Sequence, residues 1–591
     1  MKEILFVVKS YSGVDIQKAG VYKHSEHQDF QILMIGYSID GEPAKVVDIV
    51  HGEKMPTEVL TALFDPNVVK YGWDGQYERV CLSRFIGLAN NKFLPPDQWR
   101  SLKVWAAGTG HPRKLSRCLE ETGYVAYSWD QAERYTRRFC MGASKDCYLG
   151  ILKENTPYTK EWSAFKSLIY SEVSALLYLS ITLCGNRQSK EEQINYSIDQ
   201  QINDRGVHVN SDLIVMGILC QAQYQKEHAA RFQALTGLSY PTDPTGFKEW
   251  LKDKGFNVES LSSDSVRRLK KSAYGQVNEA LKLWQMLTKT TPRKYNGLLN
   301  GICADNRIRG LFQMNGGRAG RYSGTFVQLD NLPNCRLMEL DRMREAVLHG
   351  DRVYMETCHE TIPELLGELL PTVFVPTPGN SMALVELTGI EDKVIDWLIH
   401  SEYQAIDKEE FHGLHDVNDP RFCALCADVD AAVHLCLGNK RYITEYGLAF
   451  EYSDWLDQLL ITLPSGRQLH YAQPRLKKVC DNHVEVITFT EYDRDGLARI
   501  REMDGDGFVR DVIRGIVRDL LFAGLSKLES AGIQVVMHFH NSVLIDSTSE
   551  MQLFKACELM SSLPAWAKGM RPSFHAYYCH DYYEKTTQVI R

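Results

Sequence analysis

Residues 540–542 form a polar trio inside an apolar segment, VVMHFHNSVLID, which spans 535–546. The apolar residues on either side of the trio predict two short strands joined by a tight turn. His540, Asn541 and Ser542 would then lie at the tip of a hairpin. An aspartate in place of Asn541 would supply a ligand for a catalytic metal ion, whereas an amide offers only a neutral oxygen. What the polar tip faces therefore depends on the other residues of the chain.

A glycine-rich basic segment, NGGRAGRYSGTFVQLDNLPN at 315–334, is a second set of residues that could do chemistry. Arg318 and Arg321 stand among glycines that allow close backbone approach, as phosphate binding requires. Asn331 adds a hydrogen-bonding group, and Lys289 and Lys294 precede the segment. The segment is consistent with nucleotide or phosphate binding, and equally with a solvated basic loop.

Two histidines and two cysteines form a third candidate set in FHGLHDVNDPRFCALC. His412 and His415 give an HxxH pair, and seven residues later Cys423 and Cys426 give a CxxC pair. Four nitrogen and sulfur ligands at this spacing could hold a tetrahedral zinc ion that staples a small subdomain. The alternative is two buried cysteines and two surface histidines without metal.

The composition bounds the class of protein. The chain has 591 residues, 44% hydrophobic and 24% charged, with a net charge of −8, which predicts several globular domains. An acidic body can still carry a local basic groove. The 15 scattered cysteines fit a reducing compartment rather than a disulfide framework. With no signal-peptide pattern and no uninterrupted bilayer-length apolar stretch, we expect a cytoplasmic protein without a membrane partner.

Residue periodicity predicts the elements that position these side chains. In the first 155 residues, EILFVV, FQILMIGYSID and VVKYGW predict strands and PTEVLTALF predicts a helix, which favours an α/β or mixed sheet. Long helical patterns follow from about 160 to 300, including SVRRLKKSAYGQVNEALKLWQMLTKTT. Within them, 197–217 predicts a helix, a turn at Gly206 and a second helix capped by Asn210 or Ser211. The segment LPSGRQLHY, which contains Arg467, predicts a hairpin turn.

Six of these segments, in chain order, resemble the phage-type family A DNA polymerases, which carry an editing exonuclease domain before a polymerase domain. The family motif DQRINDRGV has its counterpart at 199–207, and TGRW with QNLP has its counterpart at 319–333. DFS with IEAR corresponds to 386–393, and LPSGR to 463–467. RDLL corresponds to 518–521, and HDE to 540–542. Segments 11–26 and 77–82 resemble the exonuclease domain of the same family.

The resemblance implies an α/β and α+β multidomain fold. It places an RNase H-like 3'-5' exonuclease-like domain at 1–175 and a right-hand polymerase-like domain at 176–591. Within the polymerase-like domain it implies a thumb at about 176–300. The palm would cover about 301–397 and 463–591, and a reduced fingers region would cover about 398–462.

The sequence departs from the family where catalytic carboxylates are required. Glu386 and Asn541 stand in place of the two aspartates that hold two divalent metals for nucleotide transfer. Val7 and Lys9 stand in place of the first two acids of the editing site, which leaves Glu172 as the counterpart of a later acid. Glutamate adds a methylene that octahedral Mg²⁺ tolerates poorly, and a lysine repels a cation. We therefore expect no exonuclease activity.

The leading prediction is a catalytically inactive, polymerase-like pseudoenzyme of DNA replication. It would bind primer-template or single-stranded DNA, or a partner such as an active DNA polymerase or another replication protein. The residues expected to contact DNA are Lys289, Lys294, Arg318, Arg321, Asn331, Arg467 and His540. Two alternatives stay open: an active polymerase that uses Mg²⁺ or Mn²⁺ with altered ligands, and a protein–protein scaffold without DNA binding.

Overall fold

The computed structural model describes residues 1–124, 128–142, 160–183, 189–239, 243–288, 291–325, 335, 337, 339–359, 361–399, 420–438, 441–444, 447–478, 485–493, 495–547, 549–585 and 588–590. The strands are β1 (Glu3–Tyr11), β2 (Gln31–Ile39), β3 (Lys45–Asp48), β4 (Val69–Gly72), β5 (Trp99–Ser101), β6 (Val207–His208), β7 (Arg307–Ile308), β8 (Phe312–Gln313), β9 (Ser323–Gly324), β10 (Ser381–Thr388), β11 (Tyr442–Ile443), β12 (Ala449–Ser453), β13 (Gln458–Thr462), β14 (Gln468–Lys478), β15 (Glu485–Tyr492), β16 (Ala498–Met503), β17 (Val535–His538), β18 (Ser542–Ser547), β19 (Ser573–Cys579) and β20 (Gln588–Ile590).

The helices are α1 (Ile16–Glu26), α2 (Thr57–Phe64), α3 (Gln76–Phe85), α4 (Leu102–Gly108), α5 (Leu115–Glu121), α6 (Trp129–Phe139), α7 (Lys160–Thr182), α8 (Lys190–Arg205), α9 (Ser211–Thr236), α10 (Pro244–Asp253), α11 (Ser263–Lys270), α12 (Gly275–Thr288), α13 (Thr291–Gly301), α14 (Leu340–His349), α15 (Arg352–Cys358), α16 (Ile362–Leu369), α17 (Ile390–Ile399), α18 (Pro420–Leu437), α19 (Gly505–Ser530) and α20 (Glu550–Ser561). Short 3₁₀ turns cover Leu370–Val373 and Ala565–Ala567.

The N-terminal sheet has the strand order β3-β2-β1-β4-β5 among the described strands. Strand β1 is antiparallel to β2 and parallel to β4, and β4 is parallel to β5. Leu5 and Val7 pack into one apolar core, and Ile4 and Phe6 into the other. Because both faces of the sheet are covered, β1 is a continuous apolar run rather than an alternating one. The strands and the helix predicted in this region are confirmed.

Helix α7 covers one face of this sheet and packs against β1, β2 and β3. Its length and the mean hydropathy of 1.2 in its most apolar window are sufficient for crossing a membrane by length and composition alone. Trp162, Phe165 and Ile169 nevertheless bury its inner face in the N-terminal core. Such packing is typical of a core helix, and 44% of its most apolar window is buried.

In the helical region after α7, the structure has the turn predicted at Gly206. Helix α8 ends at Gly206, whose φ of +61° is one that other residues rarely adopt. The Asn210 side chain accepts a hydrogen bond from the backbone N–H of Leu213 and so caps α9. The helical pattern predicted for 265–291 is interrupted, because α11 ends before Gly275 and α12 begins at this glycine with φ +56°.

The second sheet has the order β17-β18-β10-β19-β20 and holds the predicted hairpin. Strands β17 and β18 are antiparallel, so the hairpin at 535–546 is confirmed. Strand β10 lies between β18 and β19 and is antiparallel to both. The back of the sheet is closed by α20, which also packs on α19.

The third sheet is an antiparallel meander of β11 to β16 in chain order. The predicted LPSGR turn joins β13 to β14: the N–H of Leu463 donates to the carbonyl of Arg467 at 2.8 Å, and Gly466 has φ +86°. The division expected at 462/463 between fingers and palm falls within this hairpin. Helix α18 packs on β11 to β14 of the meander and on α19.

Candidate functional site

Glu386 and Asn541 lie side by side in the second sheet. Glu386 on β10 pairs with Ser542 on one side and with His575 on the other. The backbone N–H of Leu387 donates to the Asn541 carbonyl at 2.8 Å, and Asn541 Nδ2 donates to the Leu387 carbonyl at 3.0 Å. The expected meeting of these two positions is therefore confirmed. The register of β10 against β18 is what brings them together.

The charges around Glu386 do not fit a pair of divalent metal ions. The Lys585 ammonium group lies 3.0 Å from Glu386 Oε2 and already balances its charge. The neighbouring Asn541 is neutral, and Ser542 is buried in the sheet. Two dications would need several anionic oxygens in this space. In the parts of the chain that the structure describes, no group of three or more His, Cys, Asp or Glu side chains could hold a metal ion.

Asp546 does not replace the missing carboxylate. It pairs across the sheet with Met382, four residues before Glu386 on β10. Its carboxylate accepts hydrogen bonds from Asn380 Nδ2 at 2.8 Å and from Thr377, and it lies 3.6 Å from Arg307. These contacts hold it at the far end of the strand.

Arg318 and Arg467 are tied into ion pairs inside the protein. Arg318 Nε lies 2.6 Å from the Asp511 carboxylate and its Nη1 lies 2.9 Å from Glu491. Arg467 Nε lies 2.7 Å from Asp519, and its Nη2 donates to the Ala319 carbonyl at 3.0 Å. Both arginines therefore brace the glycine-rich segment, and their contact with DNA stays a prediction.

Arg321 retains capacity for a ligand. It lies 3.3 Å from Glu391, and its side chain is 25% exposed. Its Nε is buried and has no hydrogen-bond partner among the described residues. Burial lowers the pKa of Arg321; the Glu391 carboxylate opposes this shift and the nearby Arg514 guanidinium adds to it. The positive charges of Arg321 and Arg514 act on one another, which favours an anion nearby.

The structure describes only some of the other residues predicted to contact DNA or zinc. His540 lies half-buried at the hairpin tip, and Lys294 lies half-buried on α13. Lys289 and Asn331 lie outside the described residues. Of the candidate zinc ligands, His412 and His415 also lie outside them. Cys423 is exposed and Cys426 half-buried on α18.

A second charged pocket lies between β1 and α7. Lys9 Nζ contacts both oxygens of Glu172, at 2.9 and 2.7 Å, while Val7 is buried in the core. Burial lowers the pKa of Lys9, but the charge of Glu172 and its hydrogen bond outweigh this effect, and the net pKa is raised. The lysine therefore stays charged and neutralises the carboxylate.

Sequence reasoning missed Glu78 as a member of this pocket. It lies on α3, buried, with Oε2 lacking a partner among the described residues. Burial, followed by the charge of Asp74, raises the pKa of Glu78 to about 8, so its carboxyl is mostly protonated at neutral pH. Segment 77–82 contained the sequence signal for Glu78, because this acid lies in a region that resembles the exonuclease domain.

The comparisons with known proteins agree with this architecture. No protein-family model matches the chain. It is 28% identical, over 654 aligned residues, to a DNA polymerase of Bacillus phage SP02, and the match covers 99% of this chain and all of the relative. Its fold is similar to that of the POL domain of Pol1 from M. smegmatis, solved in complex with a DNA primer-template and dNTP. That match has a TM-score of 0.52 and 12% identity, covering 98% of this chain and 95% of the other. The expected resemblance to family A DNA polymerases is confirmed.

Proposed function

We propose that this polymerase-like protein binds primer-template DNA and does not catalyse two-metal nucleotide transfer. The observation that carries the proposal is the contact between Glu386 and Lys585 beside Asn541. Nucleotide transfer of the family type needs two metal ions that bridge phosphate oxygens. Here one carboxylate is neutralised by an ammonium group and the other is replaced by an amide.

The strand order of the N-terminal sheet supports an RNase H-like, exonuclease-like domain over about 1–175. Three parallel strands, β1, β4 and β5, continue into the antiparallel β2 and β3. We place the polymerase-like domain at 176–591, with the second sheet as its palm. The pairing of Lys9 with Glu172 supports loss of the editing reaction as well.

DNA binding in this proposal does not depend on the lost carboxylates. Phosphate contacts need positive charge and close backbone approach, and Arg321 and Arg514 provide that charge beside the glycine-rich segment. Lys294 on α13 is the third contact, and His540 lies near the expected primer end. Such contacts position a duplex and carry little sequence preference.

The test is a titration of labelled primer-template DNA at several salt concentrations. We expect the double change of Arg321→Ala with Lys294→Ala to reduce the slope of log affinity against log salt by about 2, roughly one per phosphate contact. Arg352→Ala is the control for loss of one positive charge, since this arginine has a comparable 31% exposure and is paired with Glu227 and Glu356. An unchanged slope in the double variant would favour the scaffold alternative.

Primer extension with Mg²⁺ and with Mn²⁺ tests the catalytic half of the proposal. We expect no incorporation with either metal. Processive incorporation by the purified protein, abolished by Glu386→Ala, would instead establish the active-polymerase alternative.

A further inference from the structure

A lysine contacts the surviving carboxylate in each of the two degenerate pockets. Lys9 and Glu172 form the pair in the N-terminal domain, and Lys585 and Glu386 form the pair in the second sheet. We propose that these lysines are built-in cations: each ammonium group takes the position and balances the charge that a divalent metal ion would take and balance there. The inference deepens the proposed function and rests on it for the origin of the two pockets.

The Lys9 pair is enclosed. The side chain of Lys9 is 17% exposed and that of Glu172 is 12% exposed. The Lys9 ammonium group bridges both oxygens of the Glu172 carboxylate. A second acid that acts electrostatically on Lys9, Glu78, is buried, and its Oε2 has no hydrogen-bond partner among the described residues. One cation therefore faces one carboxylate and one mostly neutral carboxyl. A divalent cation entering this space would meet the ammonium at close range and would have to displace it.

The Lys585 pair is held by the segment that carries it. The backbone N–H of Tyr583 donates to the Phe374 carbonyl at 2.9 Å, and Tyr582 donates to the Asp341 carboxylate at 2.7 Å. These anchors place Lys585 over Glu386, although its side chain is 38% exposed. Because solvent screens this pair, we expect it to exclude cations less strictly than the Lys9 pair does.

The two pairs are independent observations. They involve strands of different sheets, Lys9 on β1 and Glu386 on β10, and their lysines are near opposite ends of the sequence at positions 9 and 585. Lys9 occupies a strand position that points into its pocket, whereas Lys585 reaches Glu386 from the segment after β19. A shared charge requirement explains why both surviving carboxylates meet a lysine.

The first experiment restores an acid in the N-terminal pocket. Mn²⁺ is titrated by calorimetry into the full-length protein and its Lys9→Asp variant, and thermal unfolding is followed with and without Mn²⁺. We expect no saturable binding by the wild type. Lys9→Asp should gain saturable Mn²⁺ binding, at least about tenfold tighter than any residual binding by the wild type, together with a Mn²⁺-dependent rise in Tm. Adding Glu172→Gln should remove that gain.

A lysine outside the pockets provides the matched control. Lys166 lies on α7, is also 17% exposed and pairs with Glu53 at 2.6 Å. Lys166→Asp should create no Mn²⁺ site. In the second pocket, Lys585→Ala combined with Asn541→Asp should gain Mn²⁺ binding, whereas Lys477→Ala combined with Asn541→Asp should not.

Saturable Mn²⁺ binding by the wild type that is removed in folded Glu172→Gln or Glu386→Gln would overturn the inference. So would folded lysine variants that gain no binding. DNA titration of the wild type separates the two proposals: failure to bind DNA refutes the proposed function, whereas the Mn²⁺ results alone decide the role of the lysines.

Discussion

His538 lies at the end of β17, two residues before the polar trio, and its ring packs between aromatic neighbours. Its ring centroid is 4.2 Å from that of Phe312 and 4.0 Å from that of Tyr322. Both ring nitrogens are buried without a hydrogen-bond partner among the described residues. Burial, with a smaller contribution from His540, lowers the pKa of His538 to about 3. The neutral ring acts as a packing group beneath the hairpin.

This histidine makes stability sensitive to acid. Its pKa falls from 6.5 when unfolded to about 3 when folded, so the unfolded state binds the extra proton and stability is lost as pH falls below 6.5. The loss is about 2 kcal/mol by pH 5. We expect His538→Phe to remove this part of the pH dependence, measured by urea unfolding at pH 5 and pH 7. Equal pH dependence in both proteins would contradict the assignment.

At the scale of elements, the LPSGR hairpin depends on one backbone conformation. Gly466 has φ +86° and open space around its Cα. Alanine at this position would be strained by conformation alone, so Gly466→Ala should destabilise the protein by about 1 kcal/mol. Gly317 is the matched control, because it also has open space and its φ is not positive. Urea unfolding of both variants checks the difference, and equal stability would show that the turn tolerates alanine.

Local patterns predicted these elements because their causes are local. The apolar flanks of the polar trio specified the β17–β18 hairpin, and Asn210 beside Gly206 specified the break between α8 and α9. Contacts across long sequence separations were not predictable in the same way. Lys585 contacts Glu386 across 199 residues and Glu78 acts electrostatically on Lys9, and both interactions depend on sheet register and on the packing of helices on the sheets. Likewise, the Arg467–Asp519 ion pair spans a long sequence separation and could not be predicted from the LPSGR segment alone.

At the scale of the whole molecule, the N-terminal domain is joined to the helical region by buried polar contacts. Arg79 on α3 is fully buried and makes two 2.7 Å contacts with the Asp204 carboxylate on α8. Its guanidinium also donates to the Leu94 carbonyl at 2.8 Å and to Gln200 at 3.2 Å. Tyr22 donates to the same Asp204 at 2.7 Å. These contacts make the N-terminal sheet and its helices a structural support for the helical region that follows.

The buried Arg79–Asp204 ion pair predicts a large loss of stability when one partner is removed. Arg79→Ala would leave the Asp204 carboxylate without its buried counter-charge, so we expect a loss of roughly 3–5 kcal/mol in the free energy of unfolding. The control is Arg475→Ala, which breaks a two-contact pair with Asp457 that lies in solvent, with 59% of the arginine side chain exposed. That change should cost about 1 kcal/mol or less, because water screens the charges in both states. Denaturant unfolding of the two variants measures the difference, and adding Asp204→Ala to Arg79→Ala should cost less than the sum of the single changes. Similar costs for the buried and exposed pairs would mean that the two domains are held together by apolar packing alone.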